Sequence, residues 1–158
     1  MSISLGDIHL RTLDYANDDE MVKYLRLFWD IPLEHNEYFT RRTDAFVREW
    51  MKTARETENE TNTYCGIALH SSDIVGVHIA RRFEEYEQTG VHIAGLWVHP
   101  SYRHLGIARE LKLSGERWAR SVGAQFMNTN VQTENDRMIS INERAGYSLF
   151  RLNFRKRL

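Results

Sequence analysis

Between Val91 and Val122 the apolar spacing changes from every second residue to every third and fourth. VHIAGLWV (Val91–Val98) reads as a strand, and Pro100 stops it. From about Leu105 to Val122, the residues Ala108, Leu111, Gly115, Trp118 and Val122 line one face of a helix. Arg109, Lys112, Glu116 and Arg120 fall largely elsewhere on it, and Gly123 is placed to end it. A strand that feeds a helix this closely needs a sheet with that helix packed on it. Purely helical and purely β architectures are therefore excluded.

The flanking sequence completes the expectation. Ile8–Leu13 reads as a strand. A helix capped by Asp18 or Asp19 then carries Met21, Leu25 and Phe28, and Pro32 marks its end. A second helix fits Asp44 to about Arg55, with Phe46, Val47, Trp50, Met51 and Ala54 on one stripe. The polar stretch Thr53–Thr63 reads as loop. Tyr64–His70 and Ile74–Arg82 are strand-like, joined by a tight turn at Ser71–Asp73, and Thr89–Gly90 closes a longer hairpin loop into the third strand. Phe126–Val131 reads as a strand and Asn135 or Asp136 opens a short helix with Met138, Ile141 and Ala145. Tyr147–Phe154 is expected to be a last strand. The fold class expected is α/β (α+β), a mixed, mostly antiparallel sheet flanked by helices, with residues 1–158 as a single domain.

Composition removes several classes of function. A formal net charge of −1 lacks the basic excess of a general nucleic-acid binder. No run approaches the ~18 apolar residues of a membrane span. The start MSISLGDIHLR lacks the basic-then-apolar pattern of a secretory leader. Cys65 is the sole cysteine, which excludes an internal disulfide, and no Cys/His cluster has zinc spacing. The expectation is a cytoplasmic protein with no structural metal, no membrane and no nucleic-acid partner. Cys65, on a strand, reads as a small buried hydrophobe rather than a nucleophile.

The strand–loop–helix stretch is also where chemistry is concentrated. The first N–H groups of a helix have no partner within it, and the helix dipole adds positive potential there. Small residues at Gly106 and Ala108 let a phosphate approach that backbone, and Arg103 adds a donor fork. On these grounds alone an anion site and an ordinary packed loop both remain open. The glycine pattern is neither a P-loop nor a dinucleotide fingerprint.

Arg103-His104-Leu105-Gly106-Ile107-Ala108 resembles the (Gln/Arg)-x-x-Gly-x-(Gly/Ala) signature of the GCN5-related N-acetyltransferases, the GNAT family. Leu96 to Tyr102 is similar to that family's lead-in, and Thr129, Asn135, Met138, Asn142 and Gly146-Tyr147 resemble its second motif. The helices around Leu111–Ala119 and Met138–Asn142 look most like a branch that includes mycothiol synthase-type domains. The resemblance implies acetyl-CoA (coenzyme A) as cofactor. Its arm would pair with backbone near Leu96 and Val98, its diphosphate would sit on the N–H groups of Arg103, His104, Leu105, Gly106, Ile107 and Ala108, and Asn135 would lie near the arm. For Asn135 a plain helix N-cap is the other reading, and the two roles coexist.

The implied activity is transfer of an acetyl group to a primary amine of a small molecule or peptide, by direct attack in a ternary complex. His92 lies eleven residues before Arg103, where many family members carry a general base. A neutral imidazole accepts a proton near pH 7. The other reading is a solvated or packed histidine. His92 shares strand parity with Ala94, Leu96 and Val98, so one face is expected for all four unless a bulge intervenes. Asn142 stands where many members carry a Tyr that reprotonates sulfur, and an amide is no useful proton donor. That departure keeps alive a non-catalytic acyl-CoA-binding or sensor protein of the same fold. Acidic and aromatic residues in Ile31–Phe39 and Phe83–Gln88 suit a cationic acceptor. Only twelve residues follow Gly146, so a missing last strand would leave an edge that favours a homodimer.

Overall fold

The computed structural model describes residues 3–30, 43–57, 61–152, 154 and 156, with the backbone alone for 28–30. The expectations at Pro32, at the side chain of Phe28 and in the loop 31–39 lie outside the described residues. The chain divides into two compact units, Met1–Asn128 and Thr129–Leu158.

The elements in order are β1 (His9–Thr12), α1 (Asp18–Asp30), α2 (Asp44–Thr57), β2 (Thr63–His70), β3 (Asp73–Glu85), β4 (Gln88–Val98), α3 (Ile107–Ser121), β5 (Phe126–Thr129) and α4 (Asp136–Arg144). The sheet runs β1-β2-β3-β4-β5, and the first three pairings are antiparallel. β5 runs beside β4 in the same direction. Gln125 donates its N–H to the Thr89 carbonyl at 2.9 Å, and His92 meets Asn128, so both chains advance together.

Alternation along the strands divides the core between two faces. On one face Cys65, Ile67, Val77, Ile79 and Trp97 pack with Met21 and Leu25 of α1 and Val47, Met51 and Ala54 of α2. On the other, Ala68, Val75 and Val98 pack with Ile107 and Leu111 of α3, and Tyr64, Ala80 and Val91 with Ala119. β2 is covered on both sides, which matches its nearly continuous apolar sequence. Cys65 is buried, and its sulfur lies 3.2 Å from the Tyr15 hydroxyl and 3.1 Å from that of Tyr24.

Several local expectations are corrected. Asn17, not Asp18 or Asp19, caps α1: its side-chain oxygen accepts from the Glu20 N–H at 3.1 Å. α2 continues to Thr57, into the polar stretch that reads as loop, and there the Thr53 and Thr57 hydroxyls bond back to carbonyls four residues earlier. The hairpin between β3 and β4 is tight: Tyr86 and Glu87 both adopt positive φ, 48° and 63°, and Thr89–Gly90 belongs to β4. That is the handedness a two-residue hairpin turn requires, reached here without glycine. The expected last strand is absent among the described residues. Leu149, Phe150, Leu152 and Phe154 are exposed, and an extended segment becomes a strand only by pairing. β5 ends at Thr129, two residues earlier than expected.

Candidate active site

β4 carries most of the candidate residues, and a bulge interrupts its alternation. Ile79 opposes Gly95 but Ala80 opposes Ile93, so Ala94 is an extra residue with no partner on β3. The bulge overturns the shared face expected for His92, Leu96 and Val98. His92 opposes Arg81 and lies on the side of Gly95 and Trp97, the face of α1 and α2. Leu96 and Val98 pack toward α3.

Backbone direction follows from the same strand. His99 donates its N–H to the Val75 carbonyl at 2.9 Å. Residues 97 and 99 therefore turn their amides toward β3, and the alternate residues Leu96 and Val98 turn theirs away from it. β5 stops at Thr129, close to the level of Ile93, so no described strand pairs with this stretch of β4.

The chain then turns through Pro100–Tyr102, one turn of 3-10 helix, into α3. Tyr102 anchors the turn through its hydroxyl, 3.0 Å from Nδ1 of His70, and His99 stacks edge-on between Trp97 and Tyr102. Arg103 donates from Nε to the Val98 carbonyl at 2.9 Å, which ties the loop back to the strand end. His104 and Gly106 both take positive φ, 70° and 87°. Gly106 is the N-cap of α3, in a left-handed conformation that a side chain disfavours. With no side chain at the cap, the leading N–H groups of a 15-residue helix open toward the surface. His104 and Gly106 are exposed, Arg103, Leu105 and Ala108 half-buried, and Ile107 buried in the α3 core.

His92 is half-buried, and its Nδ1 lies 2.6 Å from Oδ1 of Asn128 on β5. His92, Leu96, Val98 and the Arg103–Ala108 loop all lie in the first unit, with His92 on the opposite face of β4 from Leu96 and Val98. Asn135 and Asn142 belong to the second. There Asn135 caps α4, its side-chain oxygen accepting from the Met138 N–H at 3.1 Å, so the capping reading holds. Asn142 is buried, and its carbonyl accepts from the N–H groups of Ala145 and Tyr147, both at 3.0 Å.

The sequence profile of the acetyltransferase (GNAT) family matches residues 20–147, most of the chain. The chain belongs to the acetyltransferase (GNAT) family. No curated protein sequence matches it. Among solved structures it resembles an aminoglycoside acetyltransferase from an uncultured soil metagenomic sample, solved with trehalose. That match has 16% identity and a TM-score of 0.75, and covers 98% of each chain. It also resembles AAC(6')-Iy, solved with the bisubstrate analogue CoA-S-monomethyl-acetylneamine, at 18% identity and TM-score 0.72 over 96% of this chain and 99% of that one. A third is glucosamine-6-phosphate N-acetyltransferase from Arabidopsis thaliana, at 13% identity and TM-score 0.72 over 95% and 97%. At these identities the likeness is one of fold. GNAT family members use acetyl-CoA.

Three features of this GNAT chain escape sequence reading. Lys112, placed on the polar side of the α3 pattern, is buried, and burial lowers its pKa below the ordinary lysine value. The buried stripe is Ile107, Leu111, Gly115 and Ala119, which keeps Leu111 and Gly115 of the expected one but has Ile107 and Ala119 in place of Ala108 and Trp118, and Lys112 borders it. His78 is fully buried beneath the same helix. Its Nδ1–H donates to the Leu111 carbonyl at 3.0 Å, and among the described residues Nε2 has no hydrogen-bond partner. Desolvation pushes its pKa down to about 4. Gly115 makes room for that ring, since a Cβ there would stand 2.6 Å from Nδ1 of His78. Asn128 is the third, and only its register opposite His92 distinguishes it from a surface amide. On the proposed acceptor side, Glu84 is paired with Arg82 and hydrogen-bonded by Thr89, while Tyr86 is exposed. No helix among the described residues is long and apolar enough to cross a membrane.

Proposed function

We propose that the chain is an N-acetyltransferase that moves an acetyl group from acetyl-CoA to a primary amine of a small molecule or peptide. The observation that carries this reading is the stretch from Leu96 to Ala108. There a strand with outward-turned backbone groups leads into a helix whose cap is a left-handed glycine. These residues fit an acyl-CoA. Leu96 and Val98 offer peptide groups to the amides of the cofactor arm, and the loop residues Arg103, His104, Leu105, Gly106, Ile107 and Ala108 offer N–H groups to its diphosphate. Acetyl-CoA supplies an acetyl group activated as a thioester.

The residues then have separate tasks. The amine must lose a proton before its lone pair can form the new C–N bond. An ammonium would give that first proton to solvent; His92 would take the second from the amine nitrogen as the C–N bond forms, while the C–S bond breaks and its electron pair leaves with sulfur. Backbone N–H groups near Leu96 and Val98 stabilise charge on the thioester oxygen. The thiolate would leave without being protonated, since the amide at Asn142, where many family members carry a Tyr, is no useful proton donor. Attack is direct; Cys65 is buried and reads as a small hydrophobe rather than a nucleophile.

Solved neighbours named for their substrates act on aminoglycosides and on glucosamine-6-phosphate, which supports an amine of a small molecule. The acyltransferase domain spans residues 1–158, works in the cytoplasm without nucleic acid or membrane, and pairs as a homodimer through the sheet edge that a missing last strand leaves open. The α3 and α4 residues carry a kinship with the mycothiol synthase-type branch. Coenzyme A release against an amine and peptide panel tests the reaction. His92→Ala should lower the rate by ~10²-fold or more with cofactor affinity unchanged. A second reading, a non-catalytic acyl-CoA-binding sensor, is favoured by Asn142 in place of Tyr. It gains support if acetyl-CoA binds and nothing in the panel turns over.

A further inference from the structure

A histidine acts as a base through whichever ring nitrogen lacks the proton. The atom that bonds the other nitrogen decides which one that is. In this chain that atom is Oδ1 of Asn128, at 2.6 Å from Nδ1 of His92. An amide oxygen only accepts, so Nδ1 must carry the hydrogen. The neutral ring then keeps its lone pair on Nε2. We infer that Asn128 is a positioning residue that locks His92 in the Nδ1–H tautomer, making Nε2 the atom that takes the proton from the acceptor amine; this rests on the proposed role of His92 as the base.

The fold holds the pair in register. Gln125 bonds the Thr89 carbonyl at 2.9 Å and Phe126 packs edge-on against Phe83 at 5.7 Å, which fixes the start of β5 beside β4. Two residues on, Asn128 is level with His92. The bulge at Ala94 lies beyond the pair, so it leaves their register intact while rotating Leu96 and Val98 to the other face. The one charged group opposing His92 in the sheet register is Arg81 of β3, and Asn128 supplies an acceptor without adding a negative charge. A neutral acceptor orients the ring without holding it protonated, as a carboxylate would. When the proton arrives on Nε2 the Nδ1–H bond becomes charge-assisted and strengthens, so the contact supports the product of the transfer.

The test reads the ring directly. Long-range ¹H–¹⁵N correlation spectra of ¹⁵N-labelled protein at about pH 7.5, where an ordinary imidazole is neutral, report which nitrogen is protonated. His92→Gln identifies the signals of residue 92. The expected result is a protonated Nδ1 and a bare Nε2 in the wild type, retained in Asn128→Asp and lost in Asn128→Leu. Asn128→Ala replaces the leucine variant if that one does not fold. A proton on Nε2 in the wild type, or ring signals unmoved by loss of the Asn128 oxygen, overturns the inference. With an amine that turns over, kcat/KM falls about tenfold or more in Asn128→Leu, as part of what a general base supplies. It recovers in Asn128→Asp, with its acid limb moved to higher pH by the new charge, and coenzyme A affinity stays constant. Equal kcat/KM in wild type and Asn128→Leu overturns the inference. A wild type with the expected ring signature but no turnover on any amine refutes the proposed reaction, not the tautomer assignment.

Discussion

His78 should make this protein lose stability in mild acid. The ring has no exposure, and its Nε2 meets no partner among the described residues. Burial holds its pKa at about 4 in the folded chain, whereas an unfolded chain takes up the proton near the ordinary value of ~6.5. The folded-state value is thus the depressed one. Stability from this group is fully present above pH ~6.5 and is lost as pH falls toward about 4. At ~1.4 kcal/mol per unit, the loss reaches about 2 kcal/mol by pH ~5 and roughly 3 kcal/mol across the whole window. That is a large share of the ~5–15 kcal/mol a domain has available. Urea unfolding of wild type and His78→Leu, repeated from pH ~7.5 to ~4.5, isolates the effect because the other titrating groups are common to both chains. The wild type should lose about 2.5 kcal/mol relative to the variant. A stability difference that stays constant over that range would refute the reasoning.

Gly115→Ala should destabilise despite the ~1 kcal/mol that alanine adds to helix propensity. The new methyl would stand 2.6 Å from Nδ1 of His78 and disturb its bond to Leu111, a net cost of about 2 kcal/mol in urea unfolding. Glu20 accepts from both terminal nitrogens of Arg11 and from the Asp14 N–H. The Arg11 bond, foremost, holds its carboxyl below the ordinary value. Glu20→Ala should therefore cost about 2 kcal/mol at neutral pH, and the gap to wild type should close as pH falls below ~4 and the wild-type carboxylate protonates. Gly106→Ala should lower the melting temperature, since φ of 87° costs a side chain about 1 kcal/mol. It should also reduce the thermal shift produced by coenzyme A, which His92→Ala should leave unchanged.

The parts legible in the sequence were those with a repeating signal. Alternating runs mark β3 and β4, a nearly continuous apolar run marks β2, the three-and-four spacing of Val47, Met51 and Ala54 marks α2, and the small residues before α3 mark the loop. What was hidden depends on single residues. Ala94-Gly95 looks like any strand interior, and only pairing with β3 reveals that one residue is surplus. Tyr86-Glu87 carries no Asn-Gly signature, so the tight turn was not legible. Lys112 is hidden from sequence reading because it follows Leu111 at the border of the buried stripe, where its long stem tolerates burial. Asn128 lies 36 residues from His92, and no local pattern joins the two. The C-terminal run has strand composition, but pairing is a property of neighbours rather than of composition.

The surplus residue at Ala94 also bears on how specificity can change. A strictly alternating strand couples its two ends, since any shift in phase near one end reorients everything after it. With the bulge absorbing the phase, the segment from Gln88 to Ile93 and the segment from Gly95 to Val98 behave as two short strands spliced end to end. Side chains in the first can be exchanged, or the hairpin before them lengthened by two, while the outward peptide groups of the second keep their aim. If the proposed transfer holds, libraries directed at new acceptors should vary the hairpin side of the splice and leave Gly95 to Val98 untouched.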